Sequence, residues 1–188
     1  DQSGHANHLV IQAGSAYWGD RDFLDAAYWN FTGDSWLSMD ENEFPEFNGI
    51  TISGWIYCDG DASPDETSRY VVYLGSSAGN LYVQPAGNSS STAPYPGFRL
   101  CYAGIECPLR TNRWAYVVAM HDGTEARLYV NGVEQGRLTD TASFPAPGTG
   151  VCVAERWDGM IADLRVHNVA VSEEMLTGMF DNCRDSDS

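Results

Sequence analysis

Lysine is absent from this chain: all ten basic residues are arginine, set against 26 aspartates and glutamates, for a formal net charge of −16 over 188 residues. A field of that sign repels phosphate backbones and anionic headgroups, so nucleic acid is not an expected partner and cations are favoured. Long apolar runs are missing as well. None approaches the roughly 18 residues of a membrane span, so no membrane insertion is expected. No secretory leader opens the chain, which reads as a mature form or a segment cut from something longer. The five cysteines (Cys58, Cys101, Cys107, Cys152 and Cys183) lack CxxC spacing, and the four histidines (His5, His8, His121 and His167) lack HExxH, so no zinc site is expected. A phosphate-cradling loop is also missing. Acidic residues are dense only over Asp40-Glu41-Asn42-Glu43-Phe44-Pro45-Glu46. Glycoside hydrolysis needs two carboxylates held at a set separation, and Pro45 argues against a central strand that would hold them. The chain is expected not to be an enzyme.

What the sequence has in abundance is short strand-like segments separated by Gly, Pro, Asn and Asp. Strands are expected over Tyr28–Phe31, Trp36–Met39, Ile50–Cys58, Tyr70–Leu74, Leu81–Gln84, Phe98–Tyr102, Trp114–Met120, Arg127–Val130, Val151–Ala154 and Met160–His167. Ser172–Phe180 is the one helix candidate, with Ser172 as its cap, Glu173 and Glu174 in the first turn, and Gly178 limiting its length. Many short strands and one core's worth of apolar residues (43% hydrophobic) predict a single all-β domain, a sandwich over residues 1–183 with a frayed tail at 184–188. Polar loops are expected at Asp59–Ser68, Pro85–Gly97 and Thr139–Gly150.

Two segments carry a more specific pattern. Trp114-Ala115-Tyr116-Val117-Val118-Ala119-Met120-His121 breaks at Asp122-Gly123, resumes as Ala126-Arg127-Leu128-Tyr129-Val130, and turns again at Asn131-Gly132. Further on, Gly159-x-Ile161-x-Asp163-x-Arg165-Val166-x-Asn168 leads into Val171-Ser172-Glu173-Glu174, and the chain opens with Asp1-x-Ser3-Gly4-x-x-Asn7. Together these resemble the laminin G-like domains of the concanavalin A-like lectin and glucanase superfamily, over nearly the whole chain. The resemblance implies a two-sheet antiparallel jelly-roll sandwich. It also implies a structural calcium ion held by Asp1, Asn7 and Asp163, with backbone carbonyls near His5 completing the oxygen shell that calcium prefers. The alternative for these residues is turn hydrogen bonding by Asp1 and Asn7 and an ion pair between Asp163 and Arg165 or another arginine. The EF-hand-like run Asp59 to Asp65 has Pro64 where the loop needs glycine, and is expected to be a solvated acidic loop.

Function then reduces to binding. Alternation over Ile50 to Tyr57 places the isoleucines on one face and Trp55 and Tyr57 on the other, and Arg127 and Tyr129 share a face opposite Leu128 and Val130. A platform of Trp55, Tyr57, Arg99, Tyr102 and Tyr129 would stack on and grip a glycan, with loop aromatics such as Tyr95 as a second possibility. The alternative is that these rings only pack the sheet faces. Cys101 and Cys107 flank a Gly-containing turn and are expected to form a disulfide. Sequons at Asn30 and Asn88 add weight to a secreted or cell-surface setting with N-glycosylation. The expected function is an extracellular, non-catalytic carbohydrate-binding or adhesion module with a glycan or an extracellular protein as partner. The alternative is a self-assembling subunit of a filament, matrix or coat, with Cys183 as its accessible thiol.

Overall fold

The computed structural model describes residues 10–19, 28–39, 46–59, 68–85, 98–139, 143–146 and 149–184; of its first two strands it describes the backbone and the side chains of Trp36–Ser38. These residues form twelve strands and one α-helix. The strands are β1 (Val10–Gly19), β2 (Tyr28–Met39), β3 (Ile50–Cys58), β4 (Arg69–Tyr73), β5 (Leu81–Pro85), β6 (Phe98–Tyr102), β7 (Ile105–Leu109), β8 (Trp114–His121), β9 (Glu125–Val130), β10 (Val133–Thr139), β11 (Val151–Val153) and β12 (Gly159–His167), and the helix is α1 (Glu173–Arg184). All pairings are antiparallel.

A six-stranded sheet in the order β10-β9-β8-β3-β12-β2 and a five-stranded sheet in the order β11-β4-β5-β6-β7 make a jelly-roll sandwich. They are joined through β2, whose Trp29–Phe31 end pairs with β12 and whose Leu37–Met39 end pairs with β11. The inward residues of both sheets meet in one core: Ile50, Ile52, Ile56, Val117, Ala119 and Leu128 from the first, and Val72, Leu81, Val83, Leu100, Cys107 and Leu109 from the second. Trp157, wholly buried between β11 and β12, is the largest side chain in it.

Local chemistry explains the hairpins. Asn131 and Gly132 both have positive φ (50° and 75°), the conformation that a two-residue turn between twisted strands requires. At the preceding turn the Asp122 carboxylate accepts the N–H groups of Thr124 and Glu125, each at 2.8 Å, and these bonds hold its carboxyl below the usual carboxylate range. Gly159 opens β12 at φ +136°, where a Cβ would lie 1.9 Å from the carbonyl oxygen of Tyr57. Only glycine fits there.

Three strands escaped the sequence reading. β1 lies along β2; β7 carries Pro108, which is admitted because β7 ends its sheet; and β10 ends the other sheet with a largely exposed, polar run. β10 gives a weak apolar pattern because this edge strand is exposed along most of its length, whereas β7 does alternate buried and exposed residues but is short and carries a proline. Tyr28–Phe31 and Trp36–Met39 prove to be two ends of one strand. The helix is capped as expected, with Ser172 Oγ accepting Met175 N–H at 3.2 Å, but Gly178 does not limit it. A Cβ at Gly178 would meet nothing within 4 Å, and the helix continues through it to Arg184 because Leu176, Met179 and Phe180 pack on the sheet. Of the tail expected at 184–188, Arg184 instead ends α1, and 185–188 lie outside the described residues.

The expected Cys101–Cys107 disulfide does not form. The hairpin pairs Leu100 with Cys107 and Cys101 with Glu106, so the two cysteines are one register step out and their side chains leave opposite faces of the sheet. Cys58, Cys101, Cys107 and Cys152 are all free thiols, and burial pushes them up to about 12, 12, 11 and 11 respectively. Brief iodoacetamide treatment of the native protein at pH 8 should therefore leave these four unmodified in a peptide map, with full labelling after denaturation. Rapid native labelling of any buried one would contradict the fold. The sequon asparagine Asn30 lies within β2 with β1 on one side and β12 on the other, a paired strand and not the loop that glycosylation favours; Asn88 falls outside the described residues.

Candidate functional site

The residues expected to form one platform are divided among three places. Trp55, Tyr57 and Tyr129 do share the outer face of the six-stranded sheet, but α1 covers the part of that face around Tyr129. Tyr129 is buried and its ring centroid lies 5.4 Å from that of Phe180; Trp55 is half-buried, edge-on to Tyr116 at 5.3 Å. Both belong to a second apolar cluster with Val118, Met120, Val171, Leu176 and Met179. Tyr57 packs edge-on against Trp114 at 5.8 Å on the same face. Tyr102 points into the main core, wholly buried, with its hydroxyl donating to the Ala78 carbonyl at 3.0 Å. Only Arg99 stands on the outer face of the other sheet. Tyr95 lies outside the described residues.

That second outer face is the candidate site. Strand alternation sends Leu81, Val83, Phe98, Leu100, Ile105 and Cys107 into the core, so their neighbours point outward. The register lines them up in rows: Tyr70, Tyr82, Cys101 and Glu106 across β4 to β7, and Gln84, Arg99 and Pro108 beside them. A register shift between Tyr70 and Val72 brings Tyr73 onto the face, opposite Cys152. Tyr70 contacts Tyr73 at 5.1 Å and Tyr82 at 5.5 Å, with interplanar angles of 72° and 48°. Tyr73 is 38% exposed, the other two half-buried.

Polar groups border the rings. Arg99 Nη1 donates to Glu106 Oε2 at 2.7 Å and Gln84 Nε2 donates to Ser68 Oγ at 2.9 Å. At the other side, Tyr70 N–H donates to the Glu155 carbonyl at 2.9 Å, which seats the segment 154–158 against the rings; Ala154 and Arg156 both adopt positive φ there (60° and 57°). Burial raises the Tyr70 and Tyr82 phenols above their usual range, with the Glu155 carboxylate adding to the effect at Tyr70, and Cys101, Tyr70 and then Glu106 adding to it at Tyr82. They are neutral at pH 7, each able to donate and accept one hydrogen bond beside an apolar ring. Chemically the face offers ring surfaces for stacking, with amide, hydroxyl and carboxylate groups at hydroxyl-bonding distance. Its thiols, Cys101 and Cys152, are both pushed up by burial and so stay protonated at neutral pH. The sequence reading missed these tyrosines because Tyr70, Tyr73 and Tyr82 are scattered over two short strands, and only register makes them neighbours.

Of the expected calcium ligands, Asp1 and Asn7 lie outside the described residues. Asp163 sits in a bulge at φ +47°, with both carboxylate oxygens bonded to Arg165, Oδ1 to Nε and Oδ2 to Nη2, each at 2.9 Å. A guanidinium so placed occupies the side of the carboxylate that a cation would need, so Asp163 as it stands does not fit calcium. Among the described residues, no three His, Cys, Asp or Glu side chains come together as a metal cluster.

Comparison with known proteins agrees with the fold. The laminin G-type profile described as the concanavalin A-like lectin/glucanases superfamily matches residues 31–177, and the chain belongs to that family. Domain 4 of AbnA, an extracellular arabinanase from Geobacillus stearothermophilus solved with arabinotriose, superposes with a TM-score of 0.63 at 13% identity, over 92% of this chain and 82% of that one. The binding domain of botulinum neurotoxin DC, solved with rat synaptotagmin II, gives 0.64 at 12% identity over 97% of this chain. That of Paraclostridial Mosquitocidal Protein 1 gives 0.62 at 16% over 96%. The chain spans about half of each toxin domain, 48% in both cases. No curated protein matches the chain. No described helix is long and apolar enough to cross a membrane.

Proposed function

We propose that this domain is a non-catalytic carbohydrate-binding module whose ligand lies on Tyr70, Tyr73 and Tyr82. The observation that carries the reading is the cluster of Tyr70, Tyr73 and Tyr82, ring against ring and partly exposed on one outer face with hydrogen-bonding groups around them, whereas on the other outer face Tyr116 and Tyr129 are buried against α1. Sugars present apolar C–H faces to rings and hydroxyls to amides and carboxylates, which is the mixture found here. The arabinotriose bound to a domain of the same fold supports the substrate class, and the extracellular origin of that enzyme supports an extracellular setting. A protein partner is the second class, supported by the toxin domain solved with synaptotagmin. The self-assembling alternative rests on an odd cysteine count and on sheet edges open to pairing with another copy. Cys58, Cys101 and Cys107 are buried, Cys152 is half-buried, and only the backbone is described at Cys183, so the thiols lend it no support.

A glycan array that includes arabino-oligosaccharides tests the proposal. Tyr73→Ala and Tyr82→Ala should each weaken binding by about tenfold or more, the effect of removing a central aromatic contact worth roughly 1.5–2 kcal/mol. Both variants should keep the wild-type circular dichroism spectrum. Unchanged affinity in both would move the ligand elsewhere, and a wild type that binds no sugar would retire the reading.

The calcium clamp between Asp1, Asn7 and Asp163 is retained as a proposal on the resemblance alone, and it requires Asp163 to exchange Arg165 for the ion. An ion that binds only the folded chain stabilises it by about 2.7 kcal/mol at a hundred times its Kd. Chelator should then lower the Tm of the wild type and leave Asp163→Ala unaffected. Superimposable wild-type melts with and without chelator would discard the clamp.

A further inference from the structure

We propose that Glu106 sets the ligand class of the tyrosine face: by pairing with Arg99 it withholds the guanidinium from anions, so the face takes uncharged saccharides in preference to uronates, sialates and sulfated sugars. This rests on the carbohydrate reading above and adds to it a specificity-determining residue.

The geometry begins with β6. Arg99 occupies the middle of its row, between Gln84 and Pro108, and its side chain is only 3% exposed, whereas that of Glu106 is 42% exposed. A ligand approaching along the tyrosines therefore meets carboxylate first and guanidinium behind it. Nη1 of Arg99 is committed to Glu106 Oε2 at 2.7 Å, and its Nε is buried without a hydrogen-bond partner among the described residues. An arginine beside a set of partly exposed rings is the group that would ordinarily bind a sugar carboxylate, by two parallel N–H donors. Here one edge of that fork already holds a carboxylate of the protein.

The remaining charges act in the same direction. Arg156 is the other guanidinium at the rim, exposed and adjacent to Glu155; of the two, Glu155 exerts the stronger electrostatic effect on Tyr70. Beyond the site, the field of a chain at −16 opposes the approach of any anion, an effect that fades over about 10 Å in 0.1 M salt. A neutral sugar pays neither cost. Its hydroxyls can donate to Glu106 and accept from Gln84 while a C–H face covers Tyr73 or Tyr82.

The test compares a neutral oligosaccharide with its uronate counterpart on the same protein, at low and high salt, for wild type, Glu106→Gln and Asp181→Asn. Asp181 is an exposed residue of α1, packed on the opposite sheet, so its variant removes the same charge away from the site. Wild type should bind the neutral sugar at least tenfold more tightly. Glu106→Gln should shrink that ratio to threefold or less by releasing Arg99, while Asp181→Asn leaves it as in wild type. Equal or tighter binding of the uronate by wild type would overturn the inference and leave the carbohydrate reading standing. So would a Glu106→Gln ratio indistinguishable from that of Asp181→Asn. Failure of the wild type to bind either sugar, or any on the array, would remove the carbohydrate reading and this inference together. The wild-type comparison decides between neutral and acidic ligands even if Glu106→Gln does not fold.

Discussion

Truncating Tyr129 to alanine is expected to destabilise the domain by about 3 kcal/mol or more while leaving carbohydrate binding unchanged in the molecules that remain folded. The ring is buried where β9 meets α1 and packs at 5.4 Å on Phe180, so its removal opens a cavity that the flanking residues fill only in part. For a domain of this size each kcal/mol moves Tm by roughly 2–4 °C, which predicts a fall of about 10 °C. Calorimetry of Tyr129→Ala beside Tyr73→Ala makes the contrast sharp: one should lose stability and keep affinity, the other the reverse. A Tyr129→Ala protein that melts like wild type but no longer binds sugar would place the ligand under the helix and refute the assignment of faces.

A still larger loss is expected at Trp157. It is wholly buried in the main core between β11 and β12, and its Nε1 has no hydrogen-bond partner among the described residues. Trp157→Ala removes the largest core side chain and should cost about 3–5 kcal/mol. Trp157→Phe should cost far less, because it keeps most of the apolar volume and eliminates a buried N–H that is already unsatisfied. Chemical denaturation of the two variants would separate volume from hydrogen bonding; equal losses would show that the indole nitrogen has a partner after all. Trp157 also follows directly on Glu155 and Arg156, the residues seated against Tyr70, and its N–H bonds to the Ala154 carbonyl at 3.1 Å. Trp157→Ala should therefore weaken sugar binding as well as stability.

Much of the architecture was legible in the chain. Ile50–Cys58 and Phe98–Tyr102 were read to the residue, since each alternates cleanly between a core face and an outer one and sits away from the sheet edges. The turns at Asp122-Gly123 and Asn131-Gly132 were legible because backbone sterics and a short hydrogen-bonding side chain decide them locally. The helix start was equally local, resting on Ser172 and two glutamates. Its end was not: Gly178 weakens a helix in isolation by about 1 kcal/mol, a penalty that packing against a sheet overrides.

Site residues were less legible, for a definite reason. Period-two alternation says which residues of a strand share a face, but not whether that face ends up under a helix, in the core or in water. Trp55 and Tyr129 were correctly placed opposite the core and proved to be covered; Tyr102 was placed with Arg99 although the two differ by three positions on one strand and must point opposite ways. Cys101 and Cys107 failed by a single register step, a quantity set by the Ala103-Gly104 turn and its pairing of Tyr102 with Ile105.

By itself, then, the sequence determined most of the interior strands, the helix start, the turns, the family and the acidic field, because these depend on composition and on neighbours a few positions apart. Tertiary structure alone decided which aromatic face stays open, which thiols stay apart, and that Glu106 reaches Arg99. Those outcomes depend on strand order and on where the C-terminal helix docks, contacts between residues far apart in the chain whose energies no local pattern contains.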